Sequence, residues 1–521
     1  MIEKLIDNRL FTLYLFPFTL GALTVVSFQP FNYSFVNFII LPLYFYFVVY
    51  IKKKSKGVYR KKPFKKNLFI FGTVFGFAYY LSGVHWITNS LTFDENFRFL
   101  IPIGLILLPL FLSLFFSLFT LIVGPYLNLN FVSIFLLSAS FALSDYIRAK
   151  ILTGFPWNLW VYSFSWSTEI IQILNHVGLF AFNLLAITMY MFPAVIFFNI
   201  KSLKKILYLI ILLLFILSLF ISGSHSLNKN KMFLQSLDEK VNVKVVSPNF
   251  DLKYNLKDED IENRLKKLIR FSEPKNDSKM LYVWPEGVFS GYSYNEISNL
   301  KNIFRENFKN DHLILFGINM FNEKENGVNN SLIIVNNDMK IIHEYKKQKL
   351  VPFGEFLPFE KLLHKVGLKK ITEGHGSFLK GNNQQNIKLE NLSILPLICY
   401  EIIFTEFTQK SEVNTNLIIN ISEDGWFGES LGPYQHFTKS IFRAVEHNTF
   451  LIRSANKGIS AIINNKGEIV KKLNTTEIGN IELEIPLIKT DKKNKNDLIF
   501  FVLLFTYISL FIFYKKNNAK K

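Results

Sequence analysis

Long, nearly unbroken apolar runs fill the first 220 or so residues, give way to short alternating segments, and return once near the end of the chain. Runs near 9–28, 34–51, 68–88, 99–126, 131–147, 174–199, 205–222 and 498–514 each approach the roughly 20 residues that a helix needs to cross a hydrocarbon core of about 30 Å. They predict eight membrane helices. After the seventh, a polar link, Gly223-Ser224-His225-Ser226-Leu227-Asn228-Lys229-Asn230, precedes a change of period. Val241-Asn242-Val243-Lys244-Val245 alternates as a strand, whereas Ile261, Leu265, Leu268 and Ile269 mark one face of a helix.

Strand-like runs continue at 280–283, 313–318, 332–335, 392–398, 417–421 and 460–463, with helix-like segments at 294–306 and 436–448. Strands alternating with amphipathic helices predict one α/β domain whose sheets are covered by helices. The expected division is a seven-helix bundle over 1–222, a linker over 223–240, an α/β domain over 241–490, and a last membrane helix with a basic tail over 491–521. Folds of this kind carry their chemistry on loops at the carboxyl ends of strands. No internal repeat is visible.

Composition supports the membrane reading. Half of the 521 residues are hydrophobic and 56 are Phe, too apolar for a soluble protein of this size. Lysine clusters at 52–56 with 60–66, at 201–205 and at 515–521 are expected on the cytoplasmic side. An eight-span path satisfies all three with both termini inside and the α/β domain outside the cytoplasm. The first run lacks a small-residue cleavage site after a short apolar core, so it reads as a retained helix. A net charge of +19 suits nucleic acid in principle, but much of the excess flanks membrane helices, where it favours anionic lipid, and no nucleic-acid partner is expected. The chief charges within the spans, Asp145 and Arg148, fall at a helix end, where snorkelling serves them.

The chain's single cysteine, Cys399, ends the apolar run Leu392-Ser393-Ile394-Leu395-Pro396-Leu397-Ile398 and precedes Tyr400-Glu401. It is either a buried small hydrophobe or a nucleophile. Two further segments end apolar strands with chemistry: Leu281-Tyr282-Val283-Trp284-Pro285-Glu286, and Tyr345-Lys346-Lys347 leading into Leu350-Val351-Pro352-Phe353-Gly354-Glu355. A thiol attacks a carbonyl only as thiolate, so a base must take its proton and a donor must hold the oxyanion. Glu286 offers the base. Lys347 and the backbone N–H of Tyr400 offer the oxyanion contacts. Taken singly, each has a bland alternative: an inert buried thiol, a solvated basic face, a turn after Trp284-Pro285. Imidazoles for Cys-His chemistry exist at His375, His436 and His447, but not in marked segments. No Cys or His spacing predicts a metal, no Gly-rich loop has the strand-turn-helix setting of a phosphate site, and no cofactor is expected.

Together, Trp284-Pro285-Glu286, Tyr345-x-Lys347 with Leu350 to Phe356, and Cys399-Tyr400-Glu401 resemble the Glu-Lys-Cys signature of the nitrilase superfamily. Within it the chain is similar over nearly its whole length to the bacterial apolipoprotein N-acyltransferases. Further matching motifs are Gly154-Phe155-Pro156-Trp157, Asp424-Gly425-Trp426-Phe427-Gly428, Gly432-Pro433-Tyr434-Gln435-His436-Phe437 and Arg453-Ser454-Ala455-Asn456-Lys457-Gly458. The resemblance implies a polytopic helical bundle joined to an extracytoplasmic four-layer α-β-β-α sandwich. It also implies ping-pong acyl transfer in the bacterial inner membrane. Cys399 would take an acyl chain from a phospholipid, with phosphatidylethanolamine the expected donor, as a thioester. The α-amine of a lipoprotein's diacylglyceryl cysteine would then accept it. Glu286 would be base then acid, Lys347 would stabilise the tetrahedral intermediates, and Glu355 and Glu401 would orient the lysine and the cysteine loop. Trp157, Trp160, Trp426 and Phe427 suit an interfacial lid or acyl-chain wall, or an ordinary aromatic belt. Glu423 departs from the family's usual Asn. A Trp expected after the first outer strand is missing, Tyr254 being the nearest aromatic.

Two rivals stay open on the residues alone. One is a membrane-anchored amidase that uses water as acceptor. The other is a transporter or lipid-binding protein with an inert thiol, which should carry ionisable groups within its spans.

Overall fold

The computed structural model describes residues 6–55, 63–253, 256–275, 279–358, 377–382, 386–489 and 496–519. His375 and Tyr254 lie outside these. The chain divides into a helical unit (Met1–Thr88, Arg98–Ser226, Lys495–Lys521) and an α/β unit (Asn89–Phe97, Leu227–Asn494).

Among the described residues, seven helices are long and apolar enough to cross a membrane: Ser34–Lys54, Phe64–Thr92, Glu95–Tyr126, Phe131–Lys150, Leu179–Phe197, Ser202–Gln235 and Asp497–Asn518. The first expected span is a shorter apolar helix, Phe11–Ser27. It opens as a π-helical turn over Phe11–Leu15 and closes as a 3₁₀ turn over Thr24–Ser27. The span expected at 174–199 is interrupted at Gly178, whose φ of 80° separates Leu174–Val177 from Leu179–Met191.

The stretch read as a polar link is helical: Ser202–Gln235 runs unbroken through Gly223. Polar side chains lower helix propensity only slightly, and 34 residues extend about 51 Å, well beyond a hydrocarbon core. Snorkelling also gives way to burial. Asp145 and Arg148 are 5 % and 2 % exposed inside the bundle and pair at 2.8 Å, while Asn183 donates to the other Asp145 oxygen at 2.9 Å.

The α/β unit holds β1 (Lys240–Ser247), β2 (Met280–Val283), β3 (His312–Asn322), β4 (Gly327–Val335), β5 (Ile341–Lys346), β6 (Ile387–Leu389), β7 (Leu392–Ile398), β8 (Leu417–Glu423), β9 (Phe450–Asn456), β10 (Ser460–Ile463), β11 (Ile469–Leu473) and β12 (Gly479–Pro486). They form two six-stranded sheets, ordered β12-β1-β2-β3-β4-β5 and β11-β10-β9-β8-β7-β6. In each, three central strands run parallel: β1, β2 and β3, and β7, β8 and β9.

The period-2 pattern sorts the side chains. Val243, Val245, Leu281, Val283, Leu315, Leu332 and Ile334 face Ile394, Ile398, Leu417, Ile419, Ile421 and Ile452 between the sheets. Their neighbours Tyr282, Trp284, Ile314, Phe316 and Ile333 pack outward on Ile261, Leu265 and Leu268 of the helix Asp258–Ser272 and on Phe304 and Phe308. The helix Gly432–His447 covers the second sheet along β9 and β10. Helix, sheet, sheet and helix make the four layers, and the parallel strands bring their carboxyl ends to one edge.

Candidate active site

β7 delivers Cys399 to that edge. The backbone turns sharply there, with a φ of 49°, into the short 3₁₀ turn Cys399–Ile403. A β-carbon at positive φ is strained, and such strain persists only where the surroundings enforce it. Glu401, fully buried, does so. Its carboxylate accepts from the N–H groups of Ile398 (2.8 Å), Gln348 (2.7 Å) and Lys349 (3.1 Å) and from the Tyr345 hydroxyl (3.0 Å). One side chain thus ties the cysteine turn to the segment that follows β5.

That segment carries Lys347, which is 1 % exposed. Its backbone N–H donates to the Asn330 carbonyl at 2.9 Å, and its ammonium lies 2.7 Å from Glu355 and 3.4 Å from Glu286. Glu286 follows β2 on the anchor of Trp284, whose indole N–H donates to Ser272 at 2.8 Å. Gly317 allows the close approach, since a β-carbon there would stand 3.0 Å from the Glu286 α-carbon. The Asn330 amide donates to both carboxylates, at 2.7 Å to Glu286 and 2.9 Å to Glu355. The second oxygens of these carboxylates accept from the N–H groups of Glu423 (3.1 Å) and Val351 (2.9 Å).

Electrostatics follow from this packing. Burial works to discharge Lys347, but Glu286 and Glu355 outweigh it and hold the ammonium charged beyond its ordinary range. Burial, then the charge of Glu286, pushes the Cys399 thiol far above its ordinary range against the pull of Lys347. The resting sulfur is therefore protonated at neutral pH, and attack requires a base.

On the helix side of the second sheet, Asp424 accepts from Arg453 at 2.8 Å and from Ser422 at 2.7 Å, and lies 2.9 Å from His436 Nδ1. The other imidazole nitrogen is 3.3 Å from the carbonyl of Cys399. Burial raises the Asp424 carboxyl, but Arg453 and His436 more than reverse this and leave it below the carboxylate range. Glu423, at the end of β8 and in phase with the inward-facing Ile419 and Ile421, is 3 % exposed. It accepts from Asn456 at 2.8 Å and from the Gly425 N–H at 2.9 Å. Burial pushes it up to about 8.

Of the expected site residues, Glu286, Lys347, Glu355, Cys399, Tyr400 and Glu401 come together in the α/β unit. The Trp426 ring meets Phe93 edge-on at 5.3 Å, and the Phe427 carbonyl accepts from Asn89 at 2.7 Å. Tyr400 packs edge-on against Phe404. Trp157 and Trp160 belong to the helical unit, buried against Trp86 and Tyr79 respectively. Asn330 and the roles of His436 and Arg453 are not anticipated from sequence. The available signal for Asn330 is Asn329-Asn330-Ser331, three polar residues inside an otherwise apolar strand.

The family model described as apolipoprotein N-acyltransferase N-terminal domain matches residues 20–192, and the carbon-nitrogen hydrolase model matches 252–492. A Rhodopseudomonas palustris protein named apolipoprotein N-acyltransferase is 30% identical over 89% of this chain and 88% of its own. A Rickettsia typhi protein of the same name is 33% identical over 90% and 91%. Among solved structures, Saccharomyces cerevisiae Nit3, a member of branch 10 of the nitrilase superfamily, covers 48% of this chain and 91% of its own at 18% identity and a TM-score of 0.35. With a family model on either unit and relatives at this identity over nine-tenths of its length, the chain belongs to the apolipoprotein N-acyltransferase family.

Proposed function

We propose that the protein moves an acyl chain from a membrane phospholipid, phosphatidylethanolamine being the expected donor, to the α-amine of diacylglyceryl-modified lipoproteins. Cys399 serves as nucleophile. The observation that carries this reading is the strained Cys399 turn beside the Lys347–Glu286–Glu355 cluster, because a buried thiol so placed is of use only with a base and an oxyanion partner at hand. Glu286 takes the thiol proton as Sγ bonds to the ester carbonyl carbon. The tetrahedral oxyanion is held by Lys347 and the Tyr400 N–H. Collapse breaks the ester C–O bond, Glu286 returns the proton to the departing glycerol oxygen, and a lysophospholipid leaves a thioester on Cys399. The acceptor amine then attacks the thioester, Glu286 receives its proton, and the sulfur departs and is reprotonated.

Trp426 and Phe427 wall the acyl chain in this reading. In this reading the chain crosses the inner membrane eight times with both termini cytoplasmic and the α/β unit periplasmic, the orientation that the lysine clusters favour.

Intact-protein mass spectrometry of detergent-purified enzyme with phosphatidylethanolamine alone tests the reading. An acyl-sized mass increase is expected, absent in Cys399→Ala and discharged by diacylglyceryl lipopeptide with amide formation. Discharge by water alone would make the protein a hydrolase. No adduct after prolonged incubation would overturn the mechanism.

A further inference from the structure

We propose that Asn330 is a positioning residue for proton transfer at Cys399, its amide dividing Glu286 from Glu355 so that Lys347 stays with Glu355 and Glu286 remains available as the base. The inference rests on the acyl-transfer reading above.

Asn330 belongs to β4 and is 8 % exposed. Both hydrogens of its Nδ2 are spent on the site, at 2.7 Å on Glu286 Oε1 and 2.9 Å on Glu355 Oε1. These same two oxygens face the ammonium. The ammonium does not serve both equally: it lies 2.7 Å from Glu355, a full charge-assisted bond, but 3.4 Å from Glu286, near the limit of one. The amide fills the difference at Glu286. It gives that oxygen a neutral donor in place of a tight ion pair, which favours the ionised carboxylate and holds it in place without locking it to the ammonium. Asn330 also sets the lysine's height, since its carbonyl takes the Lys347 N–H. The charged and titratable groups around the cluster are Lys347 after β5, Glu355 in the following turn, Cys399 and Glu401 after β7, Glu423 at the end of β8 and Asp424 just beyond it.

The test is the rate of Cys399 acyl-adduct formation from phosphatidylethanolamine by the full-length enzyme, measured against pH. In Asn330→Leu both donors are lost, which disfavours ionised carboxyls. Adduct formation should slow about tenfold or more near neutrality, with the acid limb displaced upward by about one pH unit, while half-saturating phospholipid is unchanged. Asn330→Asp, identical in shape but with a carboxyl in place of the amide, should displace the limb further and serves where the leucine variant misfolds. A loss equal at every pH, or an acid limb coinciding with that of the parent in a folded variant, overturns the inference. If the parent itself forms no adduct on Cys399, it is the acyl-transfer reading that fails.

Discussion

The imidazole of His436 lies 3.3 Å from the backbone carbonyl of Cys399, and through its other nitrogen 2.9 Å from Asp424. Arg453 closes the chain by donating to the same carboxylate at 2.8 Å. All three side chains are fully buried, so removing Asp424 or Arg453 leaves the other's charge buried without its counter-charge. Asp424→Ala, which strands Arg453, is expected to cost about 3–5 kcal/mol of stability. Chemical denaturation in detergent should register this. His436→Ala should cost less but blur the cysteine turn, read as faster amide hydrogen exchange at Tyr400 and Glu401. Unchanged exchange there would show that Glu401 alone holds the turn.

Glu355 keeps the lysine charged, which gives its replacement a signed pH effect. Lys347 is held above its ordinary range by Glu286 and Glu355 against burial. Glu355→Gln keeps an acceptor for the Val351 N–H but removes one of the two charges. The ammonium then loses its proton at lower pH, so the alkaline limb of the acyl-transfer rate should move down. At neutral pH a loss of about a hundredfold is expected where oxyanion stabilisation is impaired. An alkaline limb shared with the parent would mean that Glu286 suffices to hold the charge.

The grouping of Glu286, Lys347 and Cys399 is legible in the sequence because each stands at or just beyond the end of a strand-like run and the three segments together carry one signature, although each alone has a bland alternative. β9 is hidden by Arg453, which breaks the apolar reading of Phe450-Leu451-Ile452 although it is buried against Asp424. β11 is largely exposed, with Lys471 and Lys472 in it, and edge strands that bury neither face leave no alternation to read. β12 closes the first sheet only because β1 supplies its partner, a pairing nearly 240 residues distant in sequence. The Asp424–His436–Arg453 chain and the Asn330 bridge are of the same kind, created by sheet topology from residues whose own segments look ordinary.

Glu423 makes stability depend on pH in a direction opposite to most carboxylates. Burial raises it from 4.5 to about 8. A raised carboxyl contributes fully below its unfolded value, and that contribution is lost as pH rises through the folded value. Stability of the α/β unit should therefore fall between about pH 5 and pH 8, each pH unit of displacement being worth about 1.4 kcal/mol. Glu423→Gln cannot ionise and should flatten this slope, even though its amide cannot accept from both Asn456 and Gly425. Denaturation midpoints of parent and variant across the range decide it, and parallel slopes would contradict the assignment.

In the helical unit, Asp145 and Arg148 test whether a buried pair stabilises or merely avoids harm. The pair is closed at 2.8 Å, and Asn183 satisfies the second carboxylate oxygen at 2.9 Å. Asn183 in turn accepts the Val161 N–H at 3.1 Å, and the guanidinium donates to the Phe155 carbonyl and lies over the Tyr80 ring. Arg148→Met removes one partner and leaves a carboxylate among helices, for which about 3–5 kcal/mol of destabilisation is expected. Replacing both, as Asp145→Leu with Arg148→Met, removes the desolvated charges together and should recover most of that loss. It should not recover all, because the Phe155 carbonyl and Asn183 lose donors and acceptors that the apolar pair does not supply. A double-mutant cycle on thermal unfolding in detergent measures this: a double variant as damaged as Arg148→Met alone would locate the cost in the lost guanidinium contacts, not in the stranded charge.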